Sequence, residues 1–198
     1  MEQLAQLPVR FIIVLLCWVV VPACVNTEDT ETVTSKSFID KKDTALRKQG
    51  GFLFLGDKKV TAWVVDINTN NDTLYKCLFI KGKEEGIEIK KYPNGQIAEI
   101  RFYKKGRKEG EHKGWFAHGK PKFVYHYKGD IYEGNVKDWG VNGQLYRDYN
   151  YKDGHEYGRQ RLWYENGKIK ANYAVRNGRK YGLTGVKGCV NVTENGKK

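Results

Sequence analysis

From about residue 67 to 190, runs of roughly eight residues rich in Tyr, Phe, Val and Ile alternate with short polar breaks containing glycine. The breaks lie on a lattice. Gly95, Gly119, Gly143 and Gly167 are each 24 residues apart, as are Gly86, Gly110, Gly134, Gly158 and Gly182. Gly82, Gly106, Gly154 and Gly178 form a third column, with Asp130 at its missing place and Gly129 beside it. The rarest side chains keep the same step: Trp115, Trp139 and Trp163 form one column, and Tyr103, Tyr127 and Tyr151 another, extended by Phe79 and Val175. Self-similarity at a fixed period marks a repeat architecture. Runs of this length and composition are strands, and no helical periodicity is sustained between them.

Each unit carries two turn signals. Asn94-Gly95, His118-Gly119, Asn142-Gly143 and Asn166-Gly167 resemble tight hairpin turns, in which Gly supplies the positive φ, so these four glycines are assigned a turn-structural role. Asn71 takes that place in a worn first copy and tolerates the same conformation. A second loop runs from the Gly106 column to the Gly110 column. The predicted fold is all-β, an antiparallel meander of successive 24-residue β-hairpins forming one long twisted open sheet of roughly ten strands. With two-residue turns, Gly110 faces Tyr127, Gly134 faces Tyr151 and Gly86 faces Tyr103. Tyr125, Tyr149 and Tyr173 then share one face and the Trp column the other. A slip of one residue would reverse that facing.

The flanks differ. In residues 50–66, Phe52–Leu55 and Val60–Val65 surround Gly56-Asp57 off the lattice, as a capping hairpin for the exposed sheet end. Residues 24–49 are polar and Thr-rich, with the composition of a flexible tether, and 191–198 form a tail. Ahead of them Arg10 precedes an eleven-residue apolar run, Phe11 to Val21. That run is shorter than the ~20 residues of a bilayer span and matches a signal-peptide core over 1–23. Val21-Pro22-Ala23-Cys24 resembles a bacterial lipobox, which implies lipidation of Cys24 and an exported, membrane-anchored lipoprotein of the cell envelope.

Charge sharpens this picture. The chain of 198 residues has 35 Lys and Arg against 23 Asp and Glu, and the net +12 falls on residues 50–198 because the leader and tether are neutral. Lys113, Lys137 and Arg161 recur two residues before the Trp column. These six residues are the candidate binding surface: cations beside indoles suit anionic lipid headgroups, envelope polymers or an acidic protein. The same cations would also keep a long sheet soluble.

Trp163 to Gly167, with Lys168-Ile169-Lys170 and the closing Asn177-Gly178-Arg179-Lys180-Tyr181-Gly182, resembles MORN-type repeats, in particular the bacterial antitoxin-like YwqK variant. The likeness covers about residues 67–190. It implies a β-hairpin sheet used as a scaffold or binding surface and supplies no catalytic residues. Asp130 and Asn71 depart from the pattern.

Little else carries chemistry. His118 fills a turn position and His155 a loop, while His112 and His126 lie on strands close enough in sequence to approach one another, without carboxylates or cysteines at ligand spacing. Asp148, Glu111 and Glu133 read as solvated strand positions. Cys77 and Cys189, at opposite ends of an open sheet, are expected as separate thiols. No catalytic residue, metal site or cofactor is expected, and no nucleic acid. The leading expectation is a non-enzymatic envelope lipoprotein whose sheet binds an envelope protein or anionic lipid headgroups. The alternatives are a cell-wall polymer binding module and an antitoxin-like protein neutralising a partner toxin.

Overall fold

A computed structural model describes residues 37–185. The expected signal peptide, Cys24, Cys189 and the tail at 191–198 lie outside the described residues.

The strands are β1 (Phe38–Asp40), β2 (Leu46–Gln49), β3 (Phe52–Leu55), β4 (Lys58–Lys59), β5 (Ala62–Ile67) and β6 (Thr73–Ile80). Next come β7 (Lys83–Lys91), β8 (Ile97–Lys104), β9 (Arg107–Lys108), β10 (Gly110–Trp115), β11 (Pro121–Lys128) and β12 (Ile131–Tyr132). The last are β13 (Gly134–Trp139), β14 (Leu145–Lys152), β15 (His155–Glu156), β16 (Gly158–Trp163), β17 (Ile169–Arg176) and β18 (Arg179–Leu183). Fifteen strands form one open sheet ordered β1-β5-β6-β7-β8-β10-β11-β13-β14-β16-β17-β18, with β9, β12 and β15 as short returns on β8, β11 and β14. From β5 onward this is the antiparallel meander. β1 adds to it in parallel, Ile39 beside Val64. A separate three-stranded sheet, β2-β3-β4, makes the second layer.

Two flank expectations are corrected. Residues 38–40 and 46–49, assigned to the tether, are strands, because Ile39 and Leu46 pack on the core of Val60, Ala62, Val64, Tyr75, Cys77 and Phe79. The capping segment is also built differently. Its first arm pairs with β4 and with β2, while its second arm, β5, belongs to the main sheet. Leu53 and Leu55 then lie over the end of that sheet.

The expected facing pairs are present: Gly86–Tyr103, Gly110–Tyr127 and Gly134–Tyr151. The turns that produce them are not two-residue hairpins. Tyr92 and Gln96 close a three-residue loop, N–H to carbonyl at 2.8 Å, with the Gly95 amide bonded to the Tyr92 carbonyl at 2.9 Å and Gly95 at φ 83°. The same bonds recur at Phe116–Lys120, Gly140–Gln144 and Tyr164–Lys168, and Asn71 adopts φ 65° in the first copy. A loop one residue longer should shift the register. A β-bulge beside each loop cancels the shift, leaving Ala98, Lys122, Tyr146 and Lys170 unpaired on the returning strand.

The second loop is also resolved differently, as a two-residue turn, a short return strand and a break at the next glycine. Lys105 and Gly106 have φ 52° and 78°, and Asp153 and Gly154 have φ 50° and 77°. Such turns need positive φ at both central residues. Gly129-Asp130, at φ 59° and 76°, therefore performs the same turn with the order reversed. The Asp130 carboxylate then accepts the Lys108 amide at 2.8 Å.

Consecutive units are stitched along this edge. Oε2 of Glu85, Glu109 and Glu133 accepts the backbone amide of Lys105, Gly129 and Asp153 respectively, at 2.7, 3.0 and 2.7 Å. Glu133 is thus a turn cap rather than a merely solvated position.

Candidate functional site

Trp115, Trp139 and Trp163 each end a strand just before a three-residue loop, and alternation puts them on the face that carries Lys113, Lys137 and Arg161. Consecutive tryptophans lie two strands apart, a rise of about 10 Å. All three indoles are half-buried. Each stands beside a bulge, a device that re-aims side chains next to binding sites.

The loops and indoles enclose grooves. One of about 410 Å³ is lined by Gly140, Val141, Asn142, Gln144, Tyr146, Trp163 and Glu165. A second hollow of about 550 Å³ continues past Trp163 to Tyr164, Asn166 and Lys170. A smaller one of about 230 Å³ lies one unit earlier, with Lys113, Trp115, Val124 and Trp139 in its wall. Tyr146, Val141 and Tyr164 are 41%, 66% and 50% exposed at the rim. The loops are held in place by their neighbours: Asn94 Nδ2 donates to the Ala117 carbonyl at 3.2 Å, His118 Nε2 meets the Val141 carbonyl at 3.0 Å, and Lys120 Nζ donates to the Asn142 carbonyl at 2.9 Å.

The three predicted cations have different surroundings. Lys113 pairs with Glu111 at 2.6 Å. Arg161 pairs with Asp148 and stacks its guanidinium 5.4 Å from the Trp163 ring centroid. Lys137 lies opposite Asp148 in the register. Asp148 is buried, 6% exposed, and not a solvated strand position. Burial alone would push its carboxyl up. The Asn135 amide and Arg161, with the charge of Lys137, outweigh that and hold it below the usual carboxylate range. Between β10 and β16 this face presents Lys113, Lys128, Lys137, Lys152, Arg159 and Arg161 against Glu111 and Asp148.

The opposite face is mostly paired within itself, although Glu88 Oε1 and Arg101 Nε are buried there without a hydrogen-bond partner. A row of rings runs Tyr103, His112, Tyr127, Tyr132 and Tyr151, with centroid spacings of 5.7, 4.8, 4.9 and 5.0 Å. Phenols are tied to carboxylates: Tyr75 to Glu88 at 3.2 Å, Tyr125 to Asp138 at 2.5 Å and Tyr173 to Glu156 at 3.1 Å. Burial, and then Asp138 for Tyr125 and Tyr149 and Glu156 for Tyr173, push these phenols above the ordinary range, so they stay protonated donors. Phe123 lies against Gly114, where an added Cβ would come within 2.2 Å of the ring.

On the same face, meeting that row at His112, runs a buried column with the 24-residue step: Glu88, His112, Val136 and Gln160, at 6%, 2%, 0% and 0% exposure. At its breaks the sheet leaves backbone groups of the preceding strand unpaired, and side chains complete them. Gln160 accepts the Asn150 amide at 3.2 Å and donates to the Asn150 carbonyl at 2.8 Å. His112 Nε2 lies 2.8 Å from the Phe102 carbonyl, and burial holds its imidazole below the ordinary value, hence neutral. His112 and His126 do not approach as a pair, because Glu111 and not His112 is opposite His126, which places them on opposite faces. Burial pushes the Cys77 thiol up to about 12. Among the described residues no group of three or more His, Cys, Asp or Glu is placed to hold a metal ion.

The structure therefore brings all six predicted surface residues to one face. Sequence reasoning missed Val141, Gln144, Tyr146 and Glu165, which complete the 410 Å³ groove beside Trp163. Their common signal is position, in or just after the loop that follows Trp139 and Trp163. No protein-family model matches the chain, and no curated protein matches it.

Proposed function

We propose that the chain is a non-enzymatic, MORN-like repeat protein exported as an envelope lipoprotein through Cys24, and that its Trp-bearing face is the binding surface. One observation carries this reading: the two faces of the sheet are chemically unequal. On the Tyr face, phenols, carboxylates and Arg147 bond to each other, as with Arg147 Nε and Asp138 at 2.5 Å. On the Trp face, cations outnumber carboxylates and grooves stand beside half-buried indoles. A face whose polar groups are mostly paired gains less from a partner, whereas a cationic, grooved aromatic face gains both charge neutralisation and apolar burial.

The test is affinity capture from envelope extracts with the full chain and with a variant carrying Trp115→Ala, Trp139→Ala and Trp163→Ala. The variant should lose the captured partner while keeping its β-sheet circular dichroism. Retention of every partner would remove the Trp face from consideration. Metabolic labelling with a radioactive fatty acid should mark the chain and fail to mark Cys24→Ser.

A further inference from the structure

We propose that the Trp face binds an acidic, β-linked polysaccharide chain lying across the strands, its sugar rings seated in the grooves beside Trp115, Trp139 and Trp163. This rests on the reading of that face as the binding surface and names the ligand.

Groove chemistry comes first. The wall of the 410 Å³ groove combines the rings of Trp163 and Tyr146 with the amides of Asn142 and Gln144 and the carboxylate of Glu165. Its volume is in the range of small-molecule sites. A pyranose ring has an apolar C–H face that packs on an aromatic ring and a rim of hydroxyls that need donors and acceptors. Aromatic platforms with a few placed amide and carboxylate groups meet both needs at once. The neighbouring hollow shares Trp163 and Glu165 and adds Tyr164, Asn166 and Lys170, so the path continues on both sides of one indole.

Periodicity follows. The indoles recur with the repeat, stepping by about 10 Å, two strand spacings, and each borders a groove, although the other lining residues differ from one groove to the next. This is close to the advance of two residues in an extended β-1,4-linked glycan. A row of indoles at a fixed step favours a ligand with a matching step, because each added unit engages a further ring within the same chain.

Charge selects among polymers. Lys113, Lys137 and Arg161 recur at the same step as the indoles, and Lys128, Lys152 and Arg159 add to the excess on that face. In an extended β-1,4-linked uronate chain successive carboxylates face opposite sides, so every second one would meet this ladder. A membrane surface fits less well: indoles that insert among lipids stand out from the surface, whereas these are half-buried and line grooves.

The experiment is a titration of the full chain, followed by intrinsic Trp fluorescence. Its probes are a β-1,4-linked mannuronate hexasaccharide, a neutral β-1,4-linked N-acetylglucosamine hexamer, and vesicles rich in phosphatidylglycerol. The proposal expects saturable binding of the mannuronate oligomer, weakened by added salt. Trp163→Ala should weaken it about tenfold or more, a loss of about 1.4 kcal/mol. Tyr146→Ser, at a bulge position open to solvent, should weaken it as well, which guards against a folding defect in the first variant. Lys137→Gln should lower affinity for the acidic oligomer alone.

Equal binding of both oligomers would overturn the charge assignment, and mannuronate binding unchanged in Trp163→Ala and Tyr146→Ser would overturn the site. Binding of vesicles alone, lost in the triple Trp variant, would overturn the glycan and leave the Trp face standing as a binding surface. Capture of every envelope partner by that triple variant would instead bring down the underlying reading.

Discussion

The two ends of the sheet are stabilised by different means. At the start, β3 and its neighbours lie over β5 and β6, and Val60, Ala62, Val64, Cys77 and Phe79 form a two-layer apolar core. Further along there is one layer, and its apolar cluster shrinks to Ala171, Tyr173 and Val175 with Leu162 beside them. A single sheet has nothing to bury its face against. The later units replace burial with a ring row, phenol–carboxylate bonds, a mostly polar buried column and carboxylates that cap the neighbouring turn. An array of this kind can be lengthened without enlarging its core, and its stability is spread over nearest-neighbour contacts.

The largest expected effect tests the capped end. Phe79→Ala, at 5% exposure, should cost about 3–5 kcal/mol, read as a lower urea midpoint. A loss below about 1 kcal/mol would mean the two-layer core is not the anchor. Next is the polar column. Gln160→Leu leaves the Asn150 amide and carbonyl without their side-chain partner and should cost about 1–3 kcal/mol. Hydrogen exchange should accelerate at Asn150 and the following turn but not in β5 and β6, and uniform acceleration would contradict the nearest-neighbour picture.

His112 gives the column a pH dependence. Burial depresses its folded-state pKa, despite the bond to Phe102, so the unfolded chain binds the proton more readily. Its contribution is complete above the ordinary imidazole value of about 6.5 and is lost as pH falls from there toward the depressed value. His112→Gln, which copies the residue found two units later, should flatten this acid-side loss with stability near neutral pH changed by less than about 1 kcal/mol. An unchanged pH profile by urea titration would clear His112 of that role. The smallest effects concern the turn caps. Glu109→Ala should cost about 1 kcal/mol by freeing the Gly129 amide. Tyr157 occupies the cap column in the next unit, so Tyr157→Glu should add up to about 1 kcal/mol by reaching the turn at Asn177-Gly178. Thermal midpoints that move in the same direction for both variants would dismiss the cap.

Much of the architecture was legible because glycine, tryptophan and tyrosine columns report directly on turns and facing. The register of Gly110 with Tyr127 followed from the period even though the assumed loop was one residue short. Loop and bulge errors cancel within each unit, so the 24-residue step carries no trace of either. The strands at 38–40 and 46–49 were hidden in a charged stretch, since Ile39 and Leu46 find apolar partners only in a core built from strands later in the chain. The six surface residues were legible from their spacing. The groove walls were not, because Gln144 and Glu165 come from different units and meet only when the loops stack. The buried polar column was masked by chemistry: Glu, His and Gln read as surface residues until the sheet breaks that need them are seen.

The carboxylate caps all point one way, each reaching from an earlier hairpin to the turn of the next. During synthesis, which proceeds from the amino end, the turns at Lys105, Gly129 and Asp153 therefore each emerge to meet an acceptor already in position. Growth of the sheet is templated forward from its capped beginning, and shortening from the carboxyl end leaves each surviving hairpin with the support it folded on.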